Sequence, residues 1–161
     1  MARSDWTALC TEPAAEYRAL TELERLGLAP YMPQLKRRQL VDGRYVLRRF
    51  PLFPRYLLIR IDHARHPSIR LARGINKTQP TLSDPEGRLW RAPERVIDAI
   101  RTAEQRGDFD EILHKQDPTT LNYGVLATIR ATLSDDGAEL LTPLFGGVRI
   151  RASLTEPKSP A

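Results

Sequence analysis

The sequence predicts an α+β fold: a small antiparallel sheet with helices on one face, followed by a small, incomplete β-barrel-like module. Three observations predict it. Strand-like and helical stretches follow one another as strand, helix, strands, helix, strand, helix, an order that stacks helices on a mainly antiparallel sheet. Asp42-Gly43 sits between two strand-like runs and supplies the positive backbone angles of a two-residue hairpin turn. Beyond residue 123 the helical periodicity gives way to three short strand-like runs. The expected division is a first domain over 1–107, a linker over 108–123, a β module over 124–154 and a disordered tail over 155–161.

Trp6 to Cys10 is a short apolar run, and Thr11-Glu12-Pro13 after it signals a helix start. Tyr17, Leu20, Leu23 and Leu26 then recur at near-helical spacing, and Gly27 is placed to end the helix in a left-handed conformation. Leu28 to Leu35 carries Pro30 and Pro33, which donate no ladder hydrogen bond, so it belongs at an edge. Arg38 to Val41 and Arg44 to Leu47 form the two arms of the hairpin. Tyr56 to Ile61 is the central strand, and Pro67 to Ala72 a short helix capped near His66. Asp84-Pro85-Glu86-Gly87 signals a second small hairpin. Pro93 to Arg106 is the clearest helix, with Val96, Ile97, Ile100 and Ala103 on one side and Gly107 at its end. Asp117-Pro118-Thr119-Thr120 marks the linker. Gly124 to Leu133, Ala138 to Phe145 and Val148 to Leu154 are the strand-like runs of the C-terminal module.

Composition narrows the function. The 161 residues carry a net charge of +5 and a pI near 9.7, which favours anionic partners. Cys10 is the only cysteine, so there is no internal disulfide and a reducing, cytoplasmic compartment is expected. Neither a signal peptide nor a membrane-spanning stretch is evident. From Lys36 to Arg60 Asp42 is the only acid against eight cations, among them Arg37, Arg38, Arg44, Arg48 and Arg49. Beside that basic strip lies Pro51-Leu52-Phe53-Pro54-Arg55-Tyr56-Leu57-Leu58-Ile59. In a strand alternate residues face opposite sides, so Leu57, Ile59 and Ile61 share one face while Tyr56 and Leu58 share the other with Pro54. Both faces are apolar, and helices on one side leave Tyr56, Leu58 and Phe53 as an exposed interaction patch. The alternative is that these residues are ordinary core, with the C-terminal module folded back over them.

The residues argue against an enzyme. His63, His66 and His114 lack metal-ligand spacing, no phosphate-binding glycine loop or nucleophile elbow is present, and neither a metal nor another cofactor is expected. Asp84, Glu86, Asp108, Asp110 and Glu111 sit in turns or the linker, where charged residues are ordinarily solvated. A stand-alone basic RNA-binding or ribosome-associated module is the alternative function, with Tyr56 and Phe53 as stacking residues.

Taken in order, Trp6-Thr7-Ala8-Leu9, the Glu16 to Leu26 helix, Leu28-Ala29-Pro30-Tyr31-Met32-Pro33, the basic hairpin, Pro51 to Leu57 and Arg73-Gly74-Ile75 resemble the N-terminal domain of NusG-type transcription elongation factors, especially the specialised antitermination paralogues. The resemblance covers about the first two-thirds of the chain. It implies a monomer that binds RNA polymerase, with the unpaired sheet face on the clamp helices of the largest subunit and contacts at Phe53, Pro54, Tyr56, Leu58 and Cys10. It implies a second polymerase contact at Arg65, His66, Pro67 and Ser68, although Ser68 alone keeps the hydroxyl of the paralogue pattern, and helix capping is the competing role for His66 and Ser68. It places Arg37, Arg38, Arg44, Arg48 and Arg49 near upstream or non-template DNA; their competing role is a solvated hairpin. Leu140-Leu141-Thr142-Pro143-Leu144-Phe145-Gly146-Gly147-Val148-Arg149-Ile150 resembles the last two strands of a KOW domain, but its opening strand has no counterpart between Asp117 and Gly124. The family partners of that module, ribosomal protein S10 and the Rho termination factor, are therefore not assigned to this chain.

Overall fold

A computed structural model describes residues 5–110 and 135–145. Strands β1 (Trp6–Cys10) and β4 (Tyr56–Arg60) pair antiparallel, with Trp6 opposite Arg60 and Cys10 opposite Tyr56. Single bridges widen this pair on both sides. Tyr31 exchanges hydrogen bonds with Leu58 across the outer edge of β4 (2.6 and 2.8 Å), which places the proline-flanked return at the edge expected of it. Across the outer edge of β1, Trp6 exchanges bonds with Ala92 (2.8 Å each), and Leu82 N–H donates to Ala8 O.

Strands β2 (Gln34–Val41) and β3 (Arg44–Pro51) form a separate ribbon. Asp42 (φ 50°) and Gly43 (φ 77°) both lie in the left-handed region, as a primed two-residue turn requires. The arms are longer than the turn signal alone defined, and the ladder runs without a bulge from Gln34↔Pro51 to Val41↔Arg44.

Helix α1 (Glu16–Arg25) ends before Gly27, which has φ 79°. Helix α3 (Glu94–Arg106) ends on Gly107 at φ 75°. Between β4 and α3 lie the short helix α2 (Ile61–Ala64), which the sequence did not announce, and a 3₁₀ turn over Pro67–Leu71 in place of the short helix expected there. Ser83 bridges Leu89 around the Asp84–Gly87 turn.

The core has two clusters, one on each sheet face. Leu9, Leu57 and Ile59 bury with Ala19 and Leu23 of α1 and with Ile69, Ala72 and Ile75. Trp6, Ala8 and Leu58 bury on the opposite face with Val96, Ile97, Ile100 and Ala103 of α3. The fold is α+β with antiparallel pairing, but helices cover both faces rather than one. The physical reason is economy of chain. The sheet is narrow enough for α3 to lie along much of the second face, and residues 135–145 supply the rest of its apolar cover.

Within the expected linker, Phe109 is buried in the second cluster and Asp110 bonds to β2, while residues 111–123 lie outside the described residues. The expected strand over Ala138 to Phe145 is instead helix α4 (Asp135–Leu141) followed by a 3₁₀ turn over Thr142–Phe145. Leu141 and Leu144 lie three residues apart, helical spacing, and both bury in the cluster of Leu58 and Trp90. The expected runs over 124–133 and 148–154, and the tail over 155–161, lie outside the described residues.

Candidate functional site

The β1–β4 face that carries Trp6, Ala8, Cys10, Tyr56 and Leu58 is the candidate interaction surface, and its exposure differs from expectation. Phe53 is 1% exposed and Leu58 0%, so neither belongs to an open patch. Two additions bury them: α3 lies on that face, and α4 with its following turn adds Leu141 and Leu144 to the same cluster. Trp90 Nε1 donates to Leu140 O at 3.0 Å, tying α4 to the domain beneath it. The C-terminal segment therefore folds back over the apolar face, as the alternative reading had it, but as helix.

Cys10, Pro54 and Tyr56 are brought together at the rim. Cys10 and Tyr56 are register partners and both half-buried, while Pro54 is exposed. With Thr11, Arg55, Asn76 and Gln79 they line an open cleft of about 260 Å³. Arg55 holds φ 74°, uncommon for a side-chain-bearing residue. That conformation is fixed from both sides. Its N–H donates to Glu16 Oε1 at 2.9 Å and its carbonyl accepts from Thr11 N–H at 2.8 Å. Burial pushes the Cys10 thiol up to about 11, against a smaller opposing pull from Arg55, so it is a neutral thiol near pH 7. Burial likewise raises the Tyr56 phenol. The rim is uncharged except for Arg55 and suits apolar contact with a polar tip.

Arg65, His66, Pro67 and Ser68 lie beyond the opposite, Arg60 end of β4, about 13 Å along the strand from Tyr56 at 3.3 Å per residue. Arg65, His66 and Pro67 are exposed and Ser68 half-buried. His66 Nδ1 accepts from Ser68 N–H at 3.2 Å, so the capping role is present in the structure. The imidazole's other nitrogen remains available to a partner.

The five hairpin arginines divide between two faces of the ribbon. Arg37, Arg44 and Arg48 share one, where Arg37 stacks 3.9 Å above the Phe50 ring, and Arg38 and Arg49 share the other with Lys36. None of the five forms an ion pair among the described residues.

Two residues important to this architecture gave no local signal. Glu104 accepts from Gln34 N–H, and Asp110 Oδ1 accepts from Lys36 N–H at 2.7 Å, anchoring the root of the hairpin to the end of α3. Leu141 and Leu144 did carry a signal, their helical spacing, but in a segment short enough to suit a strand equally.

The sequence model of the family described as NusG, "Transcription termination factor nusG", matches residues 4–101, more than half of the chain. The protein belongs to the NusG family, whose members are transcription factors and generally bind RNA polymerase. A comparison with curated proteins found no match. Among the described residues no helix is long and apolar enough to cross a membrane.

Proposed function

We propose that this protein is an elongation and antitermination factor of the specialised type, which grips the clamp helices of the largest RNA polymerase subunit with the β1–β4 face after α4 has moved aside. Cys10, Pro54 and Tyr56 make first contact at the open rim, and Phe53 and Leu58 stand behind them. The observation that carries this reading is the burial of Leu141 and Leu144 in one cluster with Phe53 and Leu58. A face that needs such a cover is greasy enough to hold a helical partner in its place.

The cover is weak enough to yield. Burying a leucine contributes about 1.5–3 kcal/mol and a hydrogen bond such as Trp90 to Leu140 about 1 kcal/mol. Against that stands the ordering entropy of the segment. A polymerase surface offering comparable apolar area competes on even terms. The second contact, at Arg65, His66, Pro67 and Ser68, reaches the opposite jaw. A bridge across the cleft resists clamp opening and so disfavours the paused state, shifting a conformational equilibrium without chemistry.

Transcription through a pause-site template, with and without the protein, tests this reading directly; unchanged pause lifetimes at saturating protein sink it. On the binding side, Tyr56→Asp places a charge at the rim and is expected to weaken binding to core polymerase by about tenfold, or 1.4 kcal/mol, with thermal unfolding unchanged. Equal affinity in a titration of the variant removes the rim from the interface.

Arg48 and Arg49 are expected to supply part of a salt-dependent attraction to upstream or non-template DNA. Each cation that neutralises a phosphate adds about 0.7–0.9 to the slope of log affinity against log salt. Replacing both with Ala should lower that slope for binding to transcription complexes by about 1.5. A slope that does not move makes them solvated surface.

A further inference from the structure

Among the described residues, Ala14 (φ 57°), Asp42 (φ 50°) and Arg55 (φ 74°) hold a left-handed backbone although each carries a side chain. Asp42 belongs to the hairpin turn, where that conformation is required. The other two lie on either side of one contact. Glu16, two residues after Ala14, turns its carboxylate inward, and Oε1 accepts from Arg55 N–H at 2.9 Å. Strained backbone persists only where its surroundings over-determine it, and such strain gathers at ligand clamps and switches.

The burial of Glu16 is as unusual as the strain it meets. It is 7% exposed, while Tyr17 and Arg18 beside it face solvent. Burying a carboxylate is costly unless hydrogen bonds satisfy it, and no ion pair of the described residues includes Glu16. Two things favour the anion there: the partial positive charge at the start of α1 and the peptide N–H from which it accepts.

That bond reaches the rim through a single residue. Arg55 stands between exposed Pro54 and Tyr56, the first residue of β4. Its N–H goes to Glu16 on α1, and its carbonyl accepts from Thr11, the residue after Cys10. Tyr56 N–H donates to Phe53 O at 3.1 Å and closes the turn around Arg55. A glycine here would adopt the left-handed conformation without steric cost. Arginine does not, so the turn keeps its shape only while Glu16 holds it.

We infer that Glu16 is the positioning residue of the binding rim: its carboxylate locks Arg55 in the left-handed conformation, which sets how Pro54 and Tyr56 are presented beside Cys10. Being buried, Glu16 meets no partner itself and acts through Arg55. Its consequence for polymerase rests on the rim being the first contact, while the lock itself belongs to the free protein.

The test is a double-mutant cycle in the full chain with two readouts: the rate at which iodoacetamide alkylates Cys10, the only cysteine, and affinity for core polymerase. Glu16→Ala should raise the alkylation rate about fivefold as the end of β1 loosens. The same variant should weaken polymerase binding about tenfold. Glu16→Gln keeps an accepting oxygen and should leave both quantities within about twofold. In an Arg55→Gly background Glu16→Ala should change either by less than about twofold, since glycine needs no lock. Comparison within that background also cancels the pull of the Arg55 charge on the thiol. Should Glu16→Ala alone not fold, Arg55→Gly must restore it, and a pair that stays unfolded overturns the inference. Equal effects of Glu16→Ala in the two backgrounds overturn it as well, as does a Glu16→Gln variant that behaves like Glu16→Ala. An alkylation cycle that runs as stated, with polymerase affinity unmoved throughout, upholds the lock and removes the rim from the polymerase interface instead.

Discussion

Replacing Leu141 and Leu144 together with Asp in the full chain should tighten binding to core polymerase by about a hundredfold. Two buried leucines contribute about 3–6 kcal/mol of transfer free energy. Part of that is offset by the cost of ordering the segment, and a net cover of about 2.7 kcal/mol leaves the face free in about one molecule in a hundred. Apparent affinity is reduced by that same fraction. Asp at both positions puts two carboxylates where only apolar neighbours wait, which disfavours the covered state outright. The domain beneath should stay folded, because α3 and the β1–β4 pairing do not depend on α4. Trp90 supplies a local reporter: loss of its bond to Leu140 O should change its fluorescence in a Trp6→Phe background. Unaltered polymerase affinity in the presence of that fluorescence change would mean that the binding face lies elsewhere.

Much of this arrangement is legible in the sequence, and what is not has a common cause. The ribbon is legible because Asp42-Gly43 fixes a turn locally, and α1 and α3 because their apolar spacing and terminal glycines are local as well. The run from Tyr56 to Ile59 announces that both faces are apolar, but no local pattern says which element covers them. Leu140, Leu141 and Leu144 are compatible with strand pairing or with a helical stripe; contact with the cluster around Trp90 decides between them, and that contact spans about fifty residues of sequence. Asp110 was expected to be a solvated linker charge, and its partner is a peptide N–H seventy-four residues away. Cys10 and Tyr56 are register partners across β1 and β4, a pairing between strands some fifty residues apart that neither strand's local pattern specifies. Phe53 was placed wrongly because the burial of a residue just before a strand depends on the distant helix that packs over it.

Gly74 illustrates a position whose residue type is legible and whose reason is not. It follows the 3₁₀ turn, where a glycine suggests only a chain reversal. Its φ is +90°, and a Cβ there would lie 2.9 Å from Ala19 N, 3.0 Å from Ala15 O and 3.1 Å from Ala19 Cβ. Two of these atoms are backbone of the α1 region, so no rotamer relieves the clash. Gly74→Ala is therefore expected to cost about 1–3 kcal/mol of conformational strain and about 1–3 kcal/mol more of overpacking. Gly27 is the internal control: its φ is +79° but nothing lies within 4 Å of its would-be Cβ, so Gly27→Ala should incur the strain alone. Urea denaturation of both variants reads the difference, with the Gly74 midpoint falling further at unchanged m value. The loss should extend to the rim. Gly74 O accepts from Glu12 N–H at 2.8 Å and Asn76 N–H donates to Cys10 O at 2.9 Å, so pushing this segment off α1 pulls on the strand end that carries Cys10 beside Tyr56. Equal losses for the two variants would mean that α1 gives way freely and that the close approach at Gly74 does not hold the rim in place.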